Sequence, residues 1–375
     1  MLKGVYLTLL VGPTVPVPVP QEVVDALSGV QVTVAAGQRS GFQLTFTLTN
    51  RSPLQTAFLL TAGQTPLLRV IIIVTINGLP QVLMDGVLTH TEVSPGAKPG
   101  QSTLTVTGED LTRVMDLQDF SGLIPYPAMP LEARVALIIG KYAVFGMIPL
   151  VIPSLFTDIP IPVERIPAQQ GTDLKYIEQL ASQVGHVFYI EPGPVPGTNT
   201  AYWGPEIKVG VPQPALNFDM DAYTNVESLS FSFKSTEYTL PIVFIQNQLT
   251  HFPIPIPIPP INPLQPPLGA FPPLPTSITI LKDTAKLSPM QAISRGLKVA
   301  GEAQDAVTGT GTLDVLRYGR LLQARKLVGV RGVGMAYDGL YFVKSVTTNL
   351  KRNEIKQTFN LTRNGLVSIT PVVPT

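Results

Sequence analysis

GFQLTFTLT, residues 41–49, decides the architecture. Phe42, Leu44, Phe46 and Leu48 fall on one face of an extended chain, and Gln43, Thr45, Thr47 and Thr49 fall on the other. That period of two is what a half-buried β-strand requires. Residues 30–34 and 102–107 alternate in the same way, whereas residues 70–74, VIIIV, are apolar throughout and read as a strand covered on both faces. Asn77-Gly78 separates two apolar runs and supplies the positive φ of a tight hairpin. The opening MLKGVYLTLLVGP has Lys3 before an apolar run, as a leader peptide does, but Val5, Leu7 and Leu9 alternate and no small-residue cleavage site precedes the prolines. A first strand is expected there, and strands joined by tight turns over this region imply an antiparallel barrel or sandwich.

After Gly108 the period changes. Residues 110–117 and 130–142 fit helices, and residues 173–184 place Leu174, Ile177, Leu180, Ala181 and Val184 on one stripe, with Gly185 as a left-handed stop. A strand is predicted at 186–190, and EPGPVPG then breaks the chain. Residues 135–151 are the most apolar stretch, but Lys141 and Pro149 interrupt it short of the roughly 20 apolar residues a bilayer span needs. A buried helix and turn are expected, with no transmembrane segment. From Val226 the alternation returns, with Leu229, Phe231 and Phe233 opposed to Ser228, Ser230 and Ser232.

Residues 251–276 are so rich in proline that ladder hydrogen bonding is expected to fail and an extended, stiff polyproline connector to form. Ser288-Pro289-Met290-Gln291 is a capping box, predicting a helix over 289–303. TGTGT, residues 308–312, reads as a loop; Asp338-Gly339 reads as a hairpin turn between 334–337 and 340–346; residues 354–361 form the last clear strand. The predicted class is therefore α+β, mostly β. Its units are a β-domain at 1–107, a helix-containing α+β unit at 108–222, a second β-domain at 223–362 carrying the proline-rich insert 251–276 and the helix 289–303, and a tail at 363–375.

Composition limits the function. Of the 375 residues 45% are hydrophobic and only 14% charged, against about 25% charged in an ordinary soluble domain. A free monomer stays soluble through charge, so this chain is expected to hide much of its surface, against other subunits in preference to lipid. A formal net charge of +1 gives no field to attract nucleic acid. The basic residues that thicken towards the C-terminus, among them Arg317, Arg320, Arg325, Lys326 and Lys356, are either solvated strand faces or a positive collar. With no cysteine there is no disulfide, thiol nucleophile or cysteine-based zinc site.

Catalytic constellations are missing from the sequence. His90, His186 and His251 lie in separate segments without metal-ligand spacing, and no GxSxG, HExxH or GxxxxGK[ST] pattern occurs. Pairs such as Asp116 with Asp119, or Glu109 with Asp110, are explained by helix-start electrostatics. Trp203 beside Tyr202 is either a sugar platform or a core aromatic. No catalytic residue, metal or cofactor is predicted.

Residues 171–193, GTDLKYIEQLASQVGHVFYIEPG, join a polar start, an aliphatic helix, a glycine and an aromatic strand. With the order β-domain, helical unit, β-domain, and with the run over 288–350, this resembles the late-control D family of phage tail proteins, which includes the hub portion of VgrG-type spikes. The resemblance implies two tube-like antiparallel β-barrel domains per subunit and a homotrimer whose pseudo-sixfold ring joins a sixfold inner tube to a threefold spike. It implies a baseplate hub in a phage tail or contractile injection particle, assembled in the bacterial cytoplasm. Its partners would be a separate spike protein, the inner tube or tube-initiator, and baseplate wedge proteins. The apolar tail residues Val367, Ile369, Val372 and Val373 are the expected spike contacts. Two other readings stand beside it: a distal-tail or tail-tip protein of a non-contractile phage, and a cell-wall hydrolase using Trp203 with an acid such as Glu206.

Overall fold

The computed structural model describes residues 5–48, 58, 67–96, 102–154, 166–235, 238–246, 252–259, 264–282, 289–352 and 354–370. In the first β region, β1 (Val5–Gly12) turns Val5, Leu7, Leu9 and Val11 inward, as their alternation predicts. The two-residue β2 (Val17–Pro18) and helix α1 (Gln21–Asp25) lead into β3 (Leu27–Ala35) and β4 (Gly41–Leu48). On β4, Phe42, Leu44, Phe46 and Leu48 are all buried. β5 (Arg69–Ile76) and β6 (Leu79–Ser94) form the hairpin at Asn77-Gly78, whose φ values of 52° and 82° suit a tight turn. Every residue of β5 from Arg69 to Val74 is buried, which is why that run lacks alternation. β7 (Ser102–Asp110) closes the region.

Asp110 ends that strand instead of starting a helix: its carboxylate accepts from the backbone N–H and hydroxyl of Thr112, and only the single turn α2 (Thr112–Met115) follows. The helical unit then holds α3 (Leu131–Gly140), β8 (Met147–Val151), α4 (Asp173–Gln183), β9 (Val187–Pro192) and β10 (Asn199–Gly204). Helix α4 begins where Thr172 Oγ accepts from Lys175 N–H, and it stops at Gly185, whose φ is +72°. Strands β8, β10 and β9 make a three-stranded sheet covered by these helices, and Val135, Ile138, Ile139, Leu174, Ile177 and Leu180 form its core with Trp203.

The second β region contains β11 (Gln213–Asn217), β12 (Val226–Phe233), β13 (Thr239–Gln246), β14 (Pro253–Pro257), β15 (Gly269–Phe271) and β16 (Ser277–Ile280). Helix α5 (Pro289–Ala303) has the predicted bounds, while the proposed cap Ser288 lies outside the described residues. Then come β17 (Val307–Asp314), the turn α6 (Val315–Tyr318), β18 (Leu327–Arg331), β19 (Gly339–Lys351), β20 (Glu354–Arg363) and β21 (Leu366–Ser368). One large sheet runs β12-β17-β20-β19-β3-β4-β7-β6-β5-β1-β2, with β18 on β19 and β11 on β18. Both β regions therefore share a sheet, sewn at β3 and β19, where Ala35 lies opposite Ser345 and Gly29 opposite Lys351.

Three expectations need correction. TGTGT is not a loop but lies within β17, because Gly309 and Gly311 leave room for the rings of Phe231 and Phe359 to lie across the strand. The proline-rich segment does enter a ladder: β14 pairs antiparallel with β13. Its prolines occupy alternate positions, so their missing donors all point to one side and the isoleucines between them pair on the other. The first arm of the Asp338-Gly339 hairpin is β18, not 334–337, since Asp338 Oδ1 accepts from Val333 N–H and folds the intervening residues into turns.

Candidate functional site

The chain bends at Asn364. Its Oδ1 accepts from the N–H groups of Leu268 and Gly269, holding the end of the proline-rich segment against the C-terminal residues. There β15 and β21 pair antiparallel, Phe271 opposite Leu366 and Gly269 opposite Ser368. Glycine is needed at 269, where a Cβ would come within 2.4 Å of the Gly365 carbonyl oxygen. Beneath the ribbon Arg363 is almost wholly buried. Its guanidinium donates to the carbonyls of Gly365 (2.7 Å), Asp338 (2.9 Å) and Ala336 (2.7 Å) and lies over the ring of Tyr341. Three donors of a rigid fork thus tie two turns to one strand end.

The ribbon presents apolar side chains outward. Phe271 is 65% exposed, Leu274 82%, Met335 82% and Ile369 52%. Met335 is brought beside them by the bond from Val367 N–H to Ala336 O, and Ile369 by the bond from its N–H to Leu268 O. Val367 is part of β21 with a φ of +55°, a conformation that disfavours β-branched residues. Of the four predicted contacts, Ile369 is exposed beside the ribbon, Val367 is half-buried within it, and Val372 and Val373 lie outside the described residues. Phe271, Leu274 and Met335 were missed by the sequence reading. The pairing of the proline-rich segment with the C-terminal strand joins Phe271 and Leu274 to the tail, and the bond from Val367 to Ala336 joins Met335.

The proposed sugar platform does not form. Trp203 is fully buried, edge-on to His186 at 4.4 Å between ring centroids, and Tyr202 stacks on Tyr189 while its hydroxyl donates to Pro205 O. Burial pushes the His186 imidazole down to about 4. The carboxylates are spoken for by structure. Asp110 is buried on Ser40 N–H and Thr112, and burial raises its pKa. Asp116 bonds to Arg39 and Thr172, and Asp119 accepts from Ser121. Glu206, its pKa raised by burial, is beside Lys208, which also bonds to Asp305. Among the basic residues, Arg325 lies over Tyr189 and donates to Ala35 O, and Lys356 pairs with Glu227 and Glu354. Among the described residues no group of three or more acidic or histidine side chains is placed to hold a metal ion.

One buried polar network joins the first β region to the helical unit. Arg69 donates through Nε and Nη2 to the two oxygens of Asp85, at 2.8 and 2.7 Å. The same guanidinium reaches the carbonyls of Thr14, Phe145 and Gly197, and Asn199 Nδ2 donates to Asp85. Nothing in the spacing of these residues announced the network.

No helix in the described residues is long and apolar enough to cross a membrane. No family model and no curated protein matches the chain, but solved structures do. The tail protein from Neisseria meningitidis MC58 superposes with a TM-score of 0.64 at 13% identity, over 97% of this chain and 98% of its own. The 43 kDa tail protein of prophage MuSo2 from Shewanella oneidensis gives 0.61 at 15% identity, over 96% and 98%. A chain of the half-lidded Francisella PdpA-VgrG complex gives 0.56 at 9% identity, over 100% of this chain and 60% of that one. The fold is shared with these two tail proteins along nearly the whole chain.

Proposed function

We propose that this chain is a structural subunit of a phage-tail or contractile injection particle, a baseplate hub that assembles as a homotrimer between the inner tube and a separate spike. The observation that carries the reading is the end-to-end likeness of fold to the two bacterial tail proteins. The shortage of charge supports it, because obligate interfaces bury about 2,000–5,000 Å² or more and are core-like in composition. So does the large sheet, whose path ends at β12 on one side and at the short β2 on the other. Unpaired edges of this kind are sites where sister copies can continue a sheet.

On this reading residues 1–107 and 223–362 are the two tube-like modules, residues 108–222 the unit between them, and residues 363–375 a tail. The patch of Phe271, Leu274, Met335 and Ile369 faces the spike, since an exposed apolar cluster of this kind marks a contact surface. The tube and wedge proteins are the other partners. The role is architectural, and the acids and the tryptophan that a hydrolase would use are engaged in packing.

Light scattering on the purified chain tests the proposal. The expected mass is about three times the 40.4 kDa of one chain. A monodisperse monomer that stays monomeric when spike protein is added would overturn it.

A further inference from the structure

Residues 238–281 contain no Asp, Glu, Lys or Arg. Three of their strands form a separate sheet, β14-β13-β16, which lays Val243, Ile245 and Ile256 against α5. The two edges of this sheet are built in opposite ways. On β14, Ile258 N–H donates to Pro241 O, and this fixes the alternation: the peptide groups of Ile254 and Ile256 face β13, while Pro253, Pro255 and Pro257 line the outer side. That edge offers no N–H to a further strand.

On β16 there is no proline. Leu281 N–H donates to Ile242 O, so the N–H of Ile280 is on the outer side. All four residues of β16 are exposed, and no described strand lies along their outer side, away from β13. Ile278, 65% exposed, and Ile280, 58% exposed, share a face with Leu240 and Ile242, away from α5. Proteins protect exposed edges with proline, charge or bulges. Here one edge is protected and the other is left free of all three.

We infer that β16 is a strand-addition site, which takes one extended segment of a different protein as a fourth strand. The occupant is uncharged over the contact and carries apolar residues at alternate positions. Backbone hydrogen bonds supply the attachment, and Ile278 and Ile280 select the side chains. A charged side chain there would be desolvated with no opposite charge in residues 238–281 to meet it. The open edges of the large sheet are poorer occupants, since β1 exposes Tyr6 and Thr8, and β12 exposes Ser228, Ser230 and Ser232. Because β14 is sealed, the sheet offers one edge to an added strand and not two.

The test uses the full chain and a fluorescent, acetylated heptapeptide, KTVTVTK, read by anisotropy and by hydrogen exchange. Saturable binding of one peptide per chain, with exchange slowed along β16, is expected. Ile280→Pro removes one of the two outer donors, Ile278 carrying the other, without touching the bond from Leu281 to Ile242, and should weaken binding at least tenfold while the circular dichroism spectrum is retained. Pro255→Val opens the sealed edge and should raise the stoichiometry to two. No saturation by about 1 mM peptide, or undiminished binding by folded Ile280→Pro, would overturn the inference. So would a fall in oligomer mass caused by Ile280→Pro, which would assign the edge to a sister copy, or binding of phosphatidylcholine vesicles in place of the peptide, which would assign it to lipid. The trimer proposed above stands or falls separately on mass.

Discussion

Arg69 and Asp85 show what a single buried side chain can decide. Removing the carboxylate in Asp85→Ala leaves the guanidinium in the interior without a counter-charge, for an expected loss of about 3–5 kcal/mol in urea unfolding. The paired change Arg69→Met with Asp85→Leu should lose less, because neither charge is then stranded. His186 sets a pH dependence. Its folded value of about 4 lies below the ordinary 6.5 through burial, opposed by Glu132 and reinforced by Lys298. The unfolded chain therefore binds the proton first as pH falls. The stability contributed by the neutral ring is complete above pH 6.5 and is lost progressively towards pH 4, up to about 3 kcal/mol. Melting temperatures of wild type and His186→Leu between those limits should converge at the acid end. Asn77-Gly78 was legible in the sequence because a turn is a local event. The partners of Arg69 were not, since an arginine on an apolar strand reads the same whether it is solvated or enclosed.

Among the elements, β17 depends on two absent side chains. A Cβ at Gly309 would lie 2.6 Å from the Phe231 ring, and one at Gly311 would lie 2.6 Å from the Phe359 ring. Gly309→Val should cost about 1–3 kcal/mol in denaturant unfolding, and adding Phe231→Ala should recover part of it by clearing the ring. Helix α4 was readable because its period and stop signal lie within the segment itself, and α5 because a start signal lies at its own first turn. TGTGT and the proline-rich segment were misread for a shared reason. Glycine and proline report what a backbone permits or lacks on average, but a strand uses its two sides separately. At 253, 255 and 257 every lacking donor falls on the side where no partner is required.

For the whole molecule, scarce charge predicts how association responds to salt. An assembly held by neutral, apolar surface should keep its mass between 0.1 and 1 M salt, over which the Debye length falls from about 10 to 3 Å. Dissociation by salt would point instead to the basic residues near the C-terminus. The mostly β, α+β class was legible from periodicity, and the sharing of one sheet by both β regions was not. Thr33 and Thr347, whose hydroxyls lie 3.0 Å apart across the seam, are 314 residues apart, and no local pattern carries that pairing. The seam also bears on how the chain comes off the ribosome. β3 can dock on β4 early, but its other side waits for β19, so the 314 residues that separate Thr33 from Thr347 must be translated before that flank is covered. Loop-closure entropy makes such distant pairing slow. Nascent or prematurely terminated polypeptides would thus show a sticky margin to chaperones and proteases until residues 339–351 have emerged.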